Sequence, residues 1–222
     1  MAPSRVRYPA AVLSEARVHF EVLPSGLTLL LRESHAAPVA ALQIWTRVGS
    51  ADERPDEAGL AHFHEHMLFK GTERRGVGEI AGEVEGVGGR INAYTSFDVT
   101  VYHATLPADA LERGLDVLVD AVRASVFDPD EVQREIGVVL EEIHRSQDSP
   151  GHVISDAVFA EAYRVHPYRA PILGSEQSVS SDSQVASRHC FSVSRKAGST
   201  GARSSRIRKK SWPGGSVQLT TM

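Results

Sequence analysis

Three residues within five positions have the types and spacing of a catalytic metal site: His62, Glu65 and His66. On a helix, residues four apart lie on one face, so both imidazoles can chelate a single ion. Glu65 lies on a neighbouring line of the same helix, where its carboxylate can take a proton from a metal-activated water. One Zn²⁺ per chain is the expected cofactor, because zinc lowers the pKa of a bound water towards about 7.

Two ligands leave such a site incomplete, because a catalytic zinc ion needs a third protein ligand and an open fourth position. The only cysteine is Cys190, so the third ligand must be a His, Asp or Glu. The alternative interpretation is a solvated helix that carries several histidines. His64 points away from the face of His62 and His66, and we expect it at the surface or beside the ligands.

Alternating apolar residues and turn signals predict a hairpin near the start of the chain, a strand before the motif and two strands after it. The predicted strands cover residues 18–22, 27–31, 39–48, 91–96 and 99–106.

Apolar residues at helical spacing predict the helices. Pro55 and Asp56 are expected to begin the helix that carries the motif, and Gly71 to end it. Asp128 is a good N-cap for a long helix that runs to about Arg145. Other helices are expected over residues 79–87, after Pro107 and over 151–163. This order predicts an α+β fold, with helices packed on one face of a mainly antiparallel sheet.

Composition places the chain among soluble globular proteins: 41% of its 222 residues are hydrophobic and 23% are charged. No apolar run approaches the roughly 20 residues that span a membrane. The N-terminus lacks the apolar core of a secretory signal, which favours the cytoplasm.

Charge divides the chain near residue 180. Residues 1–180 hold 16 basic and 27 acidic residues, a net charge of −11, whereas residues 181–222 hold 8 basic residues and Asp182, a net charge of +7. Periodicity also stops there. We therefore divide the chain into an N-terminal extension (1–16), a domain (17–180) and a basic, serine-rich tail (181–222) that is expected to be disordered or the product of a shifted reading frame.

Three segments resemble one known family in composition and order: GLAHFHEHMLFKGTERR, GGRINAYTSFDVTVYHATLP and EVQREIGVVLEEIHRSQDSP. Together they resemble the pitrilysin/insulinase family of inverted-zincin metallopeptidases, whose signature is His-x-x-Glu-His and whose members include the mitochondrial processing peptidases. The resemblance covers about residues 17–180. It implies a zinc-dependent endopeptidase domain that hydrolyses peptide bonds, with Glu65 as general base.

The resemblance also implies further site residues. Glu142, in VVLEEIH, matches the family's third zinc ligand, and Glu135 matches a glutamate that supports the site or assists catalysis. At about 100° per residue, these two lie within roughly 20° of each other on a helix, whereas Glu141 points to the far side. Asn92 and Ala93 match an edge strand that pairs with extended peptide substrates, although an ordinary sheet strand is the alternative.

Family members are longer, and a later domain closes over the peptide and helps to stabilise the transition state. This chain resembles only the first domain, and the resemblance implies that this domain is incomplete after residue 180. We therefore expect zinc binding with weak or no peptidase activity unless a partner peptidase subunit or second domain completes the site. A non-catalytic interaction module is the main alternative, but the intact His and Glu set argues against it. Binding of nucleic acid by the tail is disfavoured, because it lacks alternating aromatic residues.

Overall fold

The computed structural model describes residues 18–181 and 216–221. Its strands are β1 (Val18–Val22), β2 (Thr28–Ser34), β3 (Val39–Thr46), β4 (Arg90–Thr95), β5 (Thr100–Pro107) and β6 (Ser216–Thr221). They form one sheet in the order β1-β2-β6-β3-β5-β4. The β3–β6 pair is parallel and the other pairs are antiparallel. The expected mainly antiparallel sheet is confirmed.

The helices are α1 (Leu60–Met67), α2 (Glu79–Glu85), α3 (Leu111–Ala124), α4 (Pro129–Gln147), α5 (Pro150–Ala162) and α6 (Glu176–Ser181). α1 contacts β4 and β5, α3 contacts β3 and β5, and α4 packs on α1. Phe63 and Met67 of α1, Tyr102 of β5 and Val139 of α4 belong to one buried apolar cluster. The α+β class is therefore confirmed. None of the helices in the described ranges is long and apolar enough to cross a membrane.

The motif helix begins later than the sequence predicted. Pro55–Glu57 form only a short 3₁₀ turn, and α1 starts after Gly59, whose φ of +96° is left-handed and breaks the expected continuous helix. No residue with a side chain fits at position 59, because a Cβ atom there would lie 2.6 Å from the carbonyl oxygen of Leu173. α1 also ends at Met67, before Gly71.

Glu53 caps the motif helix from outside it. Its two carboxylate oxygens accept hydrogen bonds from the backbone N–H groups of Gly59 (2.9 Å) and Ala61 (2.6 Å). Backbone N–H groups in the first turn of a helix have no partner within the helix, and a carboxylate there also interacts favourably with the helix dipole. Glu53 therefore helps to fix the start of the helix that carries His62.

The second helix of the site follows its prediction closely. The Asp128 side chain accepts from the backbone N–H groups of Asp130 and Glu131, as expected of an N-cap. The predicted apolar stripe of α4 faces the core: Val132, Val139 and Ile143 are buried, and Ile136 and Leu140 are partly buried.

Part of the basic tail lies in the sheet. Residues 216–221 form β6, which lies between β2 and β3. Backbone pairing to a strand on each side can order a segment that has no clear pattern of its own. The N-terminal extension (1–16) and residues 182–215 lie outside the described residues.

Candidate metal centre

Three side chains from two helices converge on one point. The Nε2 atoms of His62 and His66 are 3.3 Å apart, and Oε2 of Glu142 lies 3.6 Å from the first and 3.5 Å from the second. Contact between α1 and α4 places Glu142 beside the histidines, although 76 positions separate it from His66 in the sequence. In the part of the chain that the structure describes, these residues form the one group of three His, Cys, Asp or Glu side chains spaced to share an ion.

The triangle has the dimensions of a tetrahedral zinc site. Ligand atoms at about 2.0–2.2 Å from a tetrahedral ion lie about 3.3–3.6 Å from one another. The three measured separations fall in this range, and two imidazoles with one carboxylate are a donor set that catalytic zinc uses. The Glu142 side chain is 45% exposed, so the site is open to solvent on its side. The residues therefore fit zinc.

His62 is held neutral by its surroundings. Its residue is 7% exposed, and burial, together with the nearby His66, lowers its pKa to about 4. A neutral imidazole presents a lone pair at neutral pH, as a metal ligand must. Its other ring nitrogen, Nδ1, is buried and has no hydrogen-bond partner among the described residues.

His66 is oriented by a buried carboxylate. Its Nδ1 lies 2.8 Å from Oε1 of Glu135, which leaves Nε2 directed at Glu142. Burial opposes charge on His66, but the hydrogen bond and charge of Glu135, together with the charges of Glu142 and Glu65, outweigh it and raise the pKa of His66. Burial also acts against the charge of Glu135, but the hydrogen bonds from His66 and Lys70 lower the pKa of that carboxyl. A carboxylate that fixes the tautomer of a ligating histidine is a common support of zinc sites.

Glu65 lies between the histidines and the edge of the sheet. Its Oε2 accepts a 2.5 Å hydrogen bond from the Thr95 hydroxyl at the end of β4. Burial raises the pKa of Glu65, and the Thr95 hydrogen bond and His66 act in the opposite direction. A carboxylate with a raised pKa is a better proton acceptor near neutral pH than a fully solvated one.

The expected edge strand is at the edge of the sheet, since β4 ends the strand order and pairs on one side with β5. Asn92 is exposed and Ala93 is partly buried. The N–H group of Ala93 donates to the Asn92 side-chain oxygen at 2.9 Å. β4 also contacts α1, so this edge runs beside the histidines.

The three basic residues that follow α1 differ in their exposure. Arg74 is exposed, but the Lys70 side chain is 28% exposed and contacts Glu135, and the Arg75 side chain is 6% exposed. Arg75 pairs with Glu83, Asp116 and Asp120 at 2.6–2.8 Å. Sequence reasoning missed Lys70 because its partner lies 65 residues away on another helix.

Two further expectations concern neighbours of the ligands. Glu141 is exposed, as predicted from its direction on α4. His64, which was expected at the surface or beside the ligands, is partly buried, and its ring lies 5.2 Å from that of Phe127. Burial lowers the pKa of His64 to about 4, so it is a neutral packing residue at neutral pH.

Comparison with known proteins places the sequence in one protein family. Residues 28–176 match the family model described as insulinase (peptidase family M16). A protein named uncharacterized zinc protease from Rickettsia felis is 37% identical over 159 residues, which are 72% of this chain and 39% of that protein. A probable mitochondrial-processing peptidase subunit beta of Arabidopsis thaliana is 36% identical over 170 residues, 77% of this chain and 32% of that protein.

A solved structure shows the same fold at lower identity. A protease from Helicobacter pylori matches 92% of this chain and 46% of its own length, with a TM-score of 0.77 and 24% identity. This chain thus spans 32–46% of the length of these three proteins. The matched residues include α1, β4 and α4. The chain belongs to the insulinase family of metallopeptidases, peptidase family M16.

Proposed function

We propose that this domain binds one Zn²⁺ through His62, His66 and Glu142 and forms the metal centre of an endopeptidase. The convergence of three ligand atoms at 3.3–3.6 Å, beside a buried glutamate, is the observation that carries this proposal. When bound, zinc polarises the peptide carbonyl and makes water easier to deprotonate.

Glu65 is the proposed general base. It accepts a proton from the attacking water as the water oxygen bonds to the peptide carbonyl carbon, and it then passes this proton to the amine nitrogen as the C–N bond breaks. Its position on the helix that carries both histidines, its interaction with His66 and its raised pKa favour this role. Glu135 is proposed to act through His66, since its contact is with that ring.

The edge of β4 is the proposed binding site for an extended peptide or protein substrate. A peptide carbonyl that replaces the Asn92 oxygen would accept the Ala93 N–H and add a strand to the sheet. Main-chain pairing of this kind gives affinity with little dependence on substrate sequence.

A second candidate function is a zinc-binding subunit that is catalytically incomplete alone. It is favoured by one observation: the relative from Arabidopsis thaliana, 36% identical over 170 residues, is named as the beta subunit of a processing peptidase. A partner subunit or second domain would then confine the substrate over the β4 edge.

The test uses the purified full chain, stripped of metal and reloaded with one equivalent of zinc. We expect a peptide hydroxamate to bind only the zinc-loaded form, because a hydroxamate binds through the metal. Glu142→Gln should weaken this binding, whereas the exposed neighbour Glu141→Gln should not. Binding that does not require zinc, or equal effects of both variants, would contradict the proposed site.

Peptide cleavage separates the two candidates. Mass spectrometry of an unfolded peptide after long incubation should show little or no cleavage by the chain alone if a partner is required. Cleavage that is lost in Glu65→Gln would show that the chain is sufficient. Cleavage that persists in Glu65→Gln would contradict the role given to Glu65.

A further inference from the structure

Lys70 lies three residues beyond the end of α1, and its ammonium group reaches α4. Its Nζ is 2.5 Å from Oε2 of Glu135. The other oxygen of Glu135, Oε1, is 2.8 Å from Nδ1 of His66. Lys70 and His66 therefore each contact one oxygen of the same carboxylate, so Glu135 bridges the two side chains.

Solvent cannot supply a hydrogen-bond partner for Oε2 of Glu135. The residue is 3% exposed, so a buried carboxylate that lost one of its partners would carry an unsatisfied charge. Lys70 keeps 28% of its side chain exposed, so its own desolvation is partial while it neutralises the more buried partner. This arrangement fixes the carboxylate plane between two donors.

The orientation of His66 depends on that plane. Glu135 fixes which ring nitrogen of His66 carries a proton, and Nε2 is thereby directed at the point shared with His62 and Glu142. Without Lys70 the Glu135 carboxylate would keep one of its two donors, its orientation would no longer be fixed, and the His66 ring would lose its support.

We propose that Lys70 is a positioning residue for the metal centre, which holds Glu135 and, through it, His66 in the geometry that binds the ion. The inference rests on the proposed zinc site but assigns Lys70 a role that the motif does not require. The described structure shows no ion pair or side-chain hydrogen bond between Lys70 and any of the three proposed ligands, so its electrostatic effect is expected to pass through Glu135.

The test compares two substitutions that each remove one cation beside a glutamate of α4. Lys70→Met removes the partner of Glu135, and Arg134→Met removes the exposed partner of Glu131, which lies outside the site. Zinc dissociation constants are measured on the full chain by competition with a chromophoric chelator. We expect Lys70→Met to weaken zinc binding about tenfold or more, as is typical for supports of metal ligands. Arg134→Met should change it less than about twofold.

A double-mutant cycle tests the route through Glu135. In a Glu135→Gln background, Lys70→Met should change zinc affinity by less than about twofold, because the carboxylate that Lys70 holds is gone. Independent losses that multiply in the double variant would overturn the proposal. Lys70→Arg, which keeps the charge, should bind zinc more tightly than Lys70→Met, and equal or weaker binding would also overturn it.

The visible absorption of the Co²⁺-loaded protein gives a readout that a general loss of stability would not produce. We expect the spectrum of Lys70→Met to differ from that of the wild type in band position, because the His66 ligand is reoriented, and that of Arg134→Met to coincide with the wild type. If Lys70→Met does not fold without metal, Lys70→Gln takes its place. Zinc binding by the wild type together with unchanged affinity in the Lys70 variants would refute this inference alone, whereas a wild type without zinc would refute the proposed function.

Discussion

The Thr95 hydroxyl donates a 2.5 Å hydrogen bond to Oε2 of Glu65, and this contact joins the edge strand to the motif helix. Thr95 is the last residue of β4, the strand proposed to bind substrate. The group proposed to accept a proton is thus held by the surface proposed to hold the peptide. Movement of the β4 edge would be transmitted directly to the carboxylate.

Thr95→Val should raise the pKa of the proposed general base, Glu65. The Thr95 hydrogen bond lowers the pKa of Glu65 against the opposite effect of burial, so its removal should raise that pKa further. In the Co²⁺-loaded protein, the pH midpoint of the absorption change that reports ionisation beside the metal should therefore move to higher pH. Thr105→Val, at an exposed position of the neighbouring strand, is the control. A midpoint that is unchanged or lower in Thr95→Val would count against the contact.

Zinc affinity should depend on pH chiefly through one histidine. The pKa of His66 is raised above 6.5 in the metal-free protein, so its proton competes with zinc as the pH falls through that raised value. His62, with a pKa of about 4, stays neutral over the same range and adds no proton. Competition titrations between pH 7 and pH 5 should therefore show about one proton displaced per zinc ion. Displacement of two protons per zinc ion from pH 7 downwards would mean that both histidines titrate together.

Arg75→Met should destabilise the fold strongly. Arg75 is buried among Asp116, Asp120 and Glu83, and its loss leaves the buried Asp120 with the more distant and exposed Arg74, at 3.7 Å, as its cationic partner. Breaking a buried pair of this kind costs about 3–5 kcal/mol in the free energy of unfolding. Arg74→Met removes an exposed partner of Asp116 and should cost at most about 1 kcal/mol. Urea unfolding measures both, and similar losses in the two variants would show that Arg75 is not the centre of this cluster.

Glu53→Gln should loosen the start of the motif helix. Its carboxylate accepts from the N–H groups of Gly59 and Ala61, and a neutral amide there gives weaker hydrogen bonds and loses the interaction with the helix dipole. We expect a loss of about 0.5–2 kcal/mol in unfolding free energy, the usual range for a helix cap. Hydrogen exchange of the α1 backbone amides should also be faster in Glu53→Gln. Exchange at the wild-type rate in this variant would contradict the capping role of Glu53.

Much of this arrangement was predictable because its signals are local. The i, i+4 spacing of His62 and His66 and the Asp128 N-cap each depend on a few neighbouring residues, and each prediction agrees with the structure. Glu142 required the family resemblance, since helix periodicity alone gives its direction but not its partner.

Contacts between distant segments were not predictable from spacing. Gly59 interrupts the predicted helix because its backbone lies against Leu173, more than 100 residues away. The burial of Arg75 depends on three carboxylates from α2 and α3, and the pairing of Lys70 depends on how α1 packs on α4. β6 takes its place from the strands on either side, which a local pattern does not reveal.

The zinc content of the folded full chain tests the central claim most directly. The protein is loaded with excess zinc, separated from free metal by gel filtration and measured by atomic absorption, with His62→Ala/His66→Ala as the control. The geometry of His62, His66 and Glu142 predicts one zinc ion per chain for the wild type and none for the control. Less than about half an equivalent in the folded wild type, or equal zinc in the two proteins, would contradict the proposed metal centre.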